Sequence, residues 1–258
     1  MLQIILASQS PRRKELLTQI GLDFVVCPST IEENVKDTDP VEVVKELSRQ
    51  KAEDVAEKAK SDYHGRDFLV IGADTIVVHD DKILGKPVDQ ADAVRMLTML
   101  QGKTHNVFTG VTLIFHEDTK KKEITFAEKT EVVMCPMSPE EINWYVSTGE
   151  PMDKAGAYGI QGFCARFIRE IRGDYNNVVG LPVGRIYQEL KKQGGVLKRK
   201  KKSIQDMFTG FNIMKRIRWV VCIIPTIFDG LRKSAVIILL FWVWIMTGWK
   251  RPVSSVRC

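Results

Sequence analysis

Ser8 and Ser10 stand just ahead of Pro11, Arg12, Arg13 and Lys14, downstream of the apolar run Ile4 to Ala7. The pattern predicts a short buried strand, Ser10 as a helix N-cap, Pro11 as the first helical residue, and Gly21 closing a helix that buries Leu16, Leu17 and Ile20. A helix N-terminus already carries about half a positive charge and unpaired N–H groups, so three cations there are electrostatically misplaced. Two readings follow. Either an anion belongs there, held as a phosphate would be by helix amides, serine hydroxyls and guanidinium forks, or the cations extend into water from an ordinary capped helix.

Asp74 is the next candidate. It lies in Gly72-Ala73-Asp74-Thr75, directly after the continuous apolar run Phe68 to Ile71. That run reads as a central strand, so the carboxylate is expected at the strand's end, among small neighbours that let a ligand approach the backbone. Such an aspartate suits a base or a metal ligand, although an isolated one also fits a turn. Glu33, with Glu32 beside it, offers a second hard oxygen ligand. Lys86, in Gly85-Lys86-Pro87, sits in a stiff turn and reaches either a phosphate or water. Lys51 shares a helical stripe with Val41, Val44, Leu47 and Val55, where a lysine either snorkels past the core or enters a cleft. Gln161, in glycine-rich Gly156 to Gly162, presents a donor and an acceptor that match two adjacent groups on the edge of uracil or thymine; a loop amide bonded to backbone is the plainer alternative. Two nucleotide motifs are excluded. Gly102-Lys103-Thr104 lacks the glycine that a P-loop needs at Leu97, and the Gly156 segment is not G-x-G-x-x-G.

Leu6 to Lys14, Gly72 to Thr75, Gly85 to Pro87, Gly102 to His105, Glu150 to Gly162, Gly173 to Tyr175 and Asn177 to Pro182 follow one another in an order and at spacings that resemble the Maf family of nucleoside triphosphate pyrophosphatases. The resemblance covers about residues 1 to 192. It implies two lobes around a nucleotide cleft, with Ser8, Ser10, Arg12, Arg13, Thr75, Lys154 and Gln161 binding a nucleoside triphosphate. It places the general base for cleavage between the α and β phosphates at Asp74, with Glu33, Lys86 and Lys51 beside it. It further implies a divalent metal, Mg²⁺ or else Mn²⁺, on Asp74, Glu33 and Glu32, and a homodimer. Arg12, Thr75 and Gln161 match the base-selecting trio of the branch that hydrolyses dTTP and UTP, not the branch that prefers methylated GTP. The rival reading is a non-catalytic, nucleotide-sensing regulator of cell division tethered to a membrane. Retention of Asp74, Glu33, Arg12 and Lys86 together favours the enzyme.

The elements that must position these residues are legible from periodicity and punctuation. Phe24 to Cys27 predicts a second strand, and Asp39 caps a long helix from Pro40 to about Lys60. Thr75 to Val78 stays extended up to a turn at Asp80-Asp81, and Asp89 opens a helix that buries Ala93, Met96, Leu97 and Leu100 before Gly102. Strands are predicted at Asn106 to Phe115 and Glu123 to Met134, and Ser138-Pro139-Glu140-Glu141 starts another helix. Alternating strands and helices with adjacent antiparallel pairs indicate an α/β domain with a mixed central sheet flanked by helices.

Charge divides the chain. The 258 residues carry 38 Lys and Arg against 32 Asp and Glu, a net of +6, and all of that excess lies in residues 203–258. The preceding residues are neutral, and acidic once the run Lys198 to Lys202 is set aside, so no nucleic acid polymer is expected as a partner. Residues 1–192 thus read as the nucleotide domain, 193–202 as a basic linker and 203–258 as an extension. Ser234 to Trp249 is apolar, flanked by Arg232-Lys233 and Lys250-Arg251, and shorter than the ~20 residues of an ordinary span. Membrane attachment at the cytoplasmic face through residues 219–249 is the favoured reading, and packing on the enzyme or a second subunit is the other. Five scattered cysteines without a C-x-x-C pair and no secretory signal suggest a reduced, cytoplasmic protein; the four histidines lack ligand spacing.

Overall fold

The computed structural model describes residues 2–32, 35, 37–63, 65–117 and 120–193. These belong to the first of two units into which the chain divides, Met1–Leu197. Glu33, the basic linker after Gln193 and the whole extension, including the apolar segment 234–249, lie outside the described residues. No helix among the described residues is long and apolar enough to cross a membrane.

The chain runs β1 (Gln3–Leu6), α1 (Pro11–Gln19), β2 (Phe24–Val26), α2 (Pro40–Asp62), β3 (Phe68–His79), β4 (Lys82–Leu84), α3 (Gln90–Leu100), β5 (Thr104–Glu117), β6 (Lys120–Met134), α4 (Pro139–Ser147), three short 3₁₀ turns between Glu150 and Phe167, β7 (Ile168–Arg172), α5 (Tyr175–Val179) and α6 (Val183–Lys192). The strands form one mixed sheet in the order β2-β1-β3-β5-β6-β7, with β4 also on β3. β1 lies parallel to β2 and β3, and the remaining pairs are antiparallel. The expected mixed α/β architecture is therefore present.

Capping residues set most helix starts. Asp39, Asp89 and Ser138 each accept a backbone N–H of their helix, and Ser138 with Glu141 completes a capping box. Ser10 departs from expectation: it occupies the N-cap position of α1, but its side chain does not cap, and its backbone N–H donates to Ser8 Oγ at 3.3 Å. β4 and β7 escaped sequence reading because β4 is only three residues long and three of the five residues of β7 are charged, so neither shows an apolar period; pairing with β3 and β6 makes them strands.

The feature that builds the site is in β3. One edge pairs with β5 without interruption from Phe68 to Val78. The other pairs with β1 from Phe68 to Ile71 and with β4 from Val77 to His79, leaving Gly72 to Ile76 without a strand on that side. Asp74 is therefore in the middle of a strand, not at its end. What ends at Ile71 is the partner β1, and the gap it leaves is where another molecule can approach the strand.

Residues alternate across β3. Leu69, Ile71, Ala73 and Val77 join the core beneath α3, α4 and α6. Phe68 and Val70, and farther along Ile76 and Val78, pack under α2. α2 lies unusually close to the sheet: a Cβ on Gly72 would stand 2.4 Å from the Ser48 carbonyl oxygen, and one on Gly110 would stand 2.0 Å from that of Val44. Glycine at both points admits the helix backbone, and a buried hydrogen bond of 2.9 Å between the Ser48 and Thr112 hydroxyls holds it there.

Candidate active site

A cavity of about 880 Å³ opens at the gap in β3, a size that suits a nucleotide. Its walls come from the start of α1, from Lys51 of α2, from Asp74 and Thr75, from the Gly85-Lys86 turn, from Asp153 to Gln161 and from Val178 to Gly180. Segments that are distant in sequence meet here because β3 is central and its neighbours stop short of one another.

The strand's alternation sends Asp74 toward α2 and Thr75 to the opposite face. Lys51 Nζ donates to Asp74 Oδ1 at 2.5 Å, and the two side chains are only 16 % and 14 % exposed. Of the two readings of Lys51, the structure selects the cleft. Because α2 rests on Gly72 and Gly110, the latter directly opposite Asp74 in the β3–β5 register, the lysine is delivered to the carboxylate by close helix packing.

Arg13 does not extend into water. Its Nε donates to the Gly180 carbonyl at 2.8 Å, Nη1 to the Ala73 carbonyl at 2.9 Å and to Ser8 Oγ at 3.2 Å, and Nη2 to Thr75 Oγ1 at 3.1 Å. The Ala73 carbonyl lies on the edge of β3 that β1 has left, two residues beyond Ile71, whose carbonyl accepts the last backbone bond from Ala7. Arg13 thus takes over a missing strand's hydrogen bond and ties α1, β3 and the Gly180 turn together.

Arg12 pairs with Asp153 at 3.2 Å, and Asp153 also receives Lys154 Nζ at 2.7 Å. Lys154 Nζ reaches the Glu150 carbonyl as well, at 2.6 Å. Burial pushes the Asp153 carboxyl up, but the Lys154 ammonium and the Arg12 guanidinium outweigh it and hold that carboxyl below its ordinary value. Ser8, Ser10, Lys86 and Gln161 line the same cavity. Glu32 is exposed and does not line it, so the structure does not bring that carboxylate to Asp74, and no cluster of three or more His, Cys, Asp or Glu side chains occurs among the described residues.

Sequence reasoning missed a buried pair behind the wall. His105 Nε2 and the Tyr158 hydroxyl are 2.7 Å apart, and Tyr158 lines the cavity. His105 ends the segment Gly102 to His105, but nothing in a lone histidine announces a partner that follows it by 53 positions. Burial, reinforced by nearby His79, pushes the His105 imidazole down to about 4. An unfolded chain takes up this proton near the ordinary value of 6.5 and the folded chain refuses it, so stability is full above that pH and falls as the pH drops toward 4. The contribution is at most roughly 3 kcal/mol. Denaturation of His105→Gln beside the parent protein across this interval should show the variant lacking that part of the slope; superimposable pH profiles would remove His105 as the cause.

Comparison with known proteins matches this arrangement to a family. A family model described as "Maf-like protein" fits residues 3–193. A dTTP/UTP pyrophosphatase of Agathobacter rectalis is 57 % identical over 202 residues, covering 75 % of this chain and 98 % of that protein. Proteins of the same name from Lachnoclostridium phytofermentans (47 % over 195 residues; 75 % of this chain, 96 % of that protein) and Bacillus anthracis (48 % over 192 residues; 74 % and 95 %) align over the same domain. With a matched segment that runs from the first strand to the end of α6 and takes in every wall of the cavity, the chain belongs to the Maf family.

Proposed function

We propose that this chain hydrolyses dTTP and UTP to the nucleoside monophosphate and pyrophosphate. The observation that carries the reading is a carboxylate, Asp74, set in a strand gap and held by Lys51, facing a nucleotide-sized cavity that also presents Arg12, Lys86 and Lys154. The names of its relatives support the same substrates.

In this reading the triphosphate lies against the start of α1, where the helix amides, Ser8, Ser10 and Arg12 face it, and Lys86 neutralises charge on the leaving group. Asp74 Oδ1 is occupied by Lys51, and Oδ2 is left to take the proton of a water that attacks the α phosphorus. The bond from that phosphorus to the bridging oxygen breaks, and pyrophosphate departs with the electron pair. Gln161 and Thr75 select the base.

The donor set suits Mg²⁺ arriving with its nucleotide, because the lining carboxylates of the described residues are Asp74 and Asp153 and the second is held by two cations. One carboxylate with substrate phosphates and water is an ordinary Mg²⁺ environment. Asp74 would hold the ion, with Glu33 as a further oxygen, and the ion would neutralise the phosphate charge.

Incubation of the full chain with a panel of nucleotides, scoring pyrophosphate, tests the reading; release from dTTP and UTP well above CTP and GTP is expected, and none from any of them would end it. Arg12→Ala should raise KM and lower kcat, since a guanidinium contact strengthens as charge moves onto the leaving group. Steady-state kinetics unchanged by the substitution would return Arg12 to a surface ion pair with Asp153. For the extension, the cation-flanked apolar stretch 234–249 supports membrane attachment. Truncation after Lys192 should leave activity intact and abolish sedimentation with vesicles of anionic lipid; full-length protein that stays in the supernatant removes the anchor.

A further inference from the structure

The Thr75 hydroxyl is the first link of a chain that runs into the interior. Arg13 Nη2 donates to Thr75 Oγ1 at 3.1 Å. Thr75 Oγ1 and Thr109 Oγ1 are 2.9 Å apart, and Thr109 Oγ1 is 3.0 Å from the Asn177 carbonyl oxygen. Thr109 and Asn177 are completely buried, so water cannot change the pattern.

Counting protons fixes every direction. A carbonyl oxygen only accepts, so the single Thr109 hydrogen must point at Asn177; otherwise two oxygens would meet at 3.0 Å with no proton between them, one of them the fully buried Thr109 oxygen left without a donor. The proton between the two threonines then belongs to Thr75. With its hydrogen directed at Thr109 and one lone pair taken by Arg13, Thr75 has a single lone pair to offer the cavity that it lines.

We infer that Thr109 is a positioning residue that sets substrate choice by making Thr75 an acceptor alone toward the bound nucleotide. The inference rests on the reading of Thr75 as a base-contacting residue. An acceptor-only hydroxyl welcomes a ring N–H, which uracil and thymine carry at N3, and meets a second lone pair where cytosine has its unprotonated N3. Discrimination against cytosine is therefore built into the wall behind Thr75. Remove the Thr109 hydroxyl and Thr75 can turn its hydrogen to the ligand, accepting either base.

The test compares kcat/KM for UTP and CTP, and calorimetric binding of UMP and CMP, in the full-length wild type, Thr109→Val and Thr109→Ser. The valine variant keeps the volume and should lower the UTP to CTP ratio about tenfold or more, mainly by admitting CTP, and the serine variant should keep the wild-type ratio. A purely structural role would depress both nucleotides together. An unchanged ratio in Thr109→Val, or a ratio lost equally in the serine variant, overturns the inference. If Thr109→Val does not fold, Thr109→Cys, a weaker donor, should give an intermediate ratio, and a wild-type ratio there overturns it as well. If the wild type releases no pyrophosphate, the hydrolase reading fails by itself, and the UMP and CMP affinities still judge Thr109.

Discussion

Asp74→Asn should lower pyrophosphate release from dTTP and UTP by at least about 100-fold, the scale of a lost general base, while nucleotide binding stays measurable. The substitution preserves volume and one carbonyl-type acceptor, so Lys51 keeps a partner across their 2.5 Å contact and the strand keeps its register with β5. What disappears is the oxygen that takes a proton from water or holds a cation. Single-turnover kinetics with calorimetric binding of the monophosphate separates the two quantities. A variant that retained a tenth of the parent's turnover would show that the base is elsewhere in the cavity, whereas one that lost binding in proportion to activity would make Asp74 a structural partner of Lys51.

Gly110→Ala should be the most damaging single methyl group in the domain. A Cβ there would lie 2.0 Å from the Val44 carbonyl oxygen and 2.8 Å from the Lys45 nitrogen, both backbone atoms of α2 that cannot rotate away. The helix must lift, breaking the contacts of Val44 and Leu47 with Ile76 and Phe108. Overpacking of this kind costs about 1–3 kcal/mol or more, a fall of roughly 2–12 °C in Tm for a domain of this size. The same lift draws Lys51 from Asp74, so kcat should drop at temperatures where the variant is still folded. Gly184→Ala is the control: it lies in α6 with no atom within 4 Å of the added methyl, and it should be neutral or stabilising by up to about 1 kcal/mol. Thermal unfolding of both variants, with kinetics well below their midpoints, checks the pair. Equal Tm values would show that α2 has room to spare.

The amino-acid sequence by itself determined the local features of this protein. Helix starts at Asp39, Asp89 and Ser138, the apolar runs that became β1, β3 and β5, and the charge contrast between residues 1–202 and 203–258 follow from side chains that act on backbone groups or solvent within a few residues. Several residues that line the cavity were also legible, Arg12 and Lys51 because a cation is a costly choice at a helix start or on an apolar stripe, Asp74 and Gln161 chiefly through the resemblance to the Maf family. Tertiary structure decided what they meet. That Asp74 stands in mid-strand depends on where β1 and β4 stop along β3, a matter of register between strands far apart in sequence. That Lys51 enters the cleft depends on two glycines of the sheet on which its helix lies. Arg13 turned inward and Arg12 did not, although both are arginines at one helix start, because only the first meets a strand carbonyl with no strand beside it. Helical and strand periods are local signals, whereas hydrogen bonds such as Thr75 to Thr109 to Asn177 join positions 34 and 68 residues apart, and no periodicity spans them.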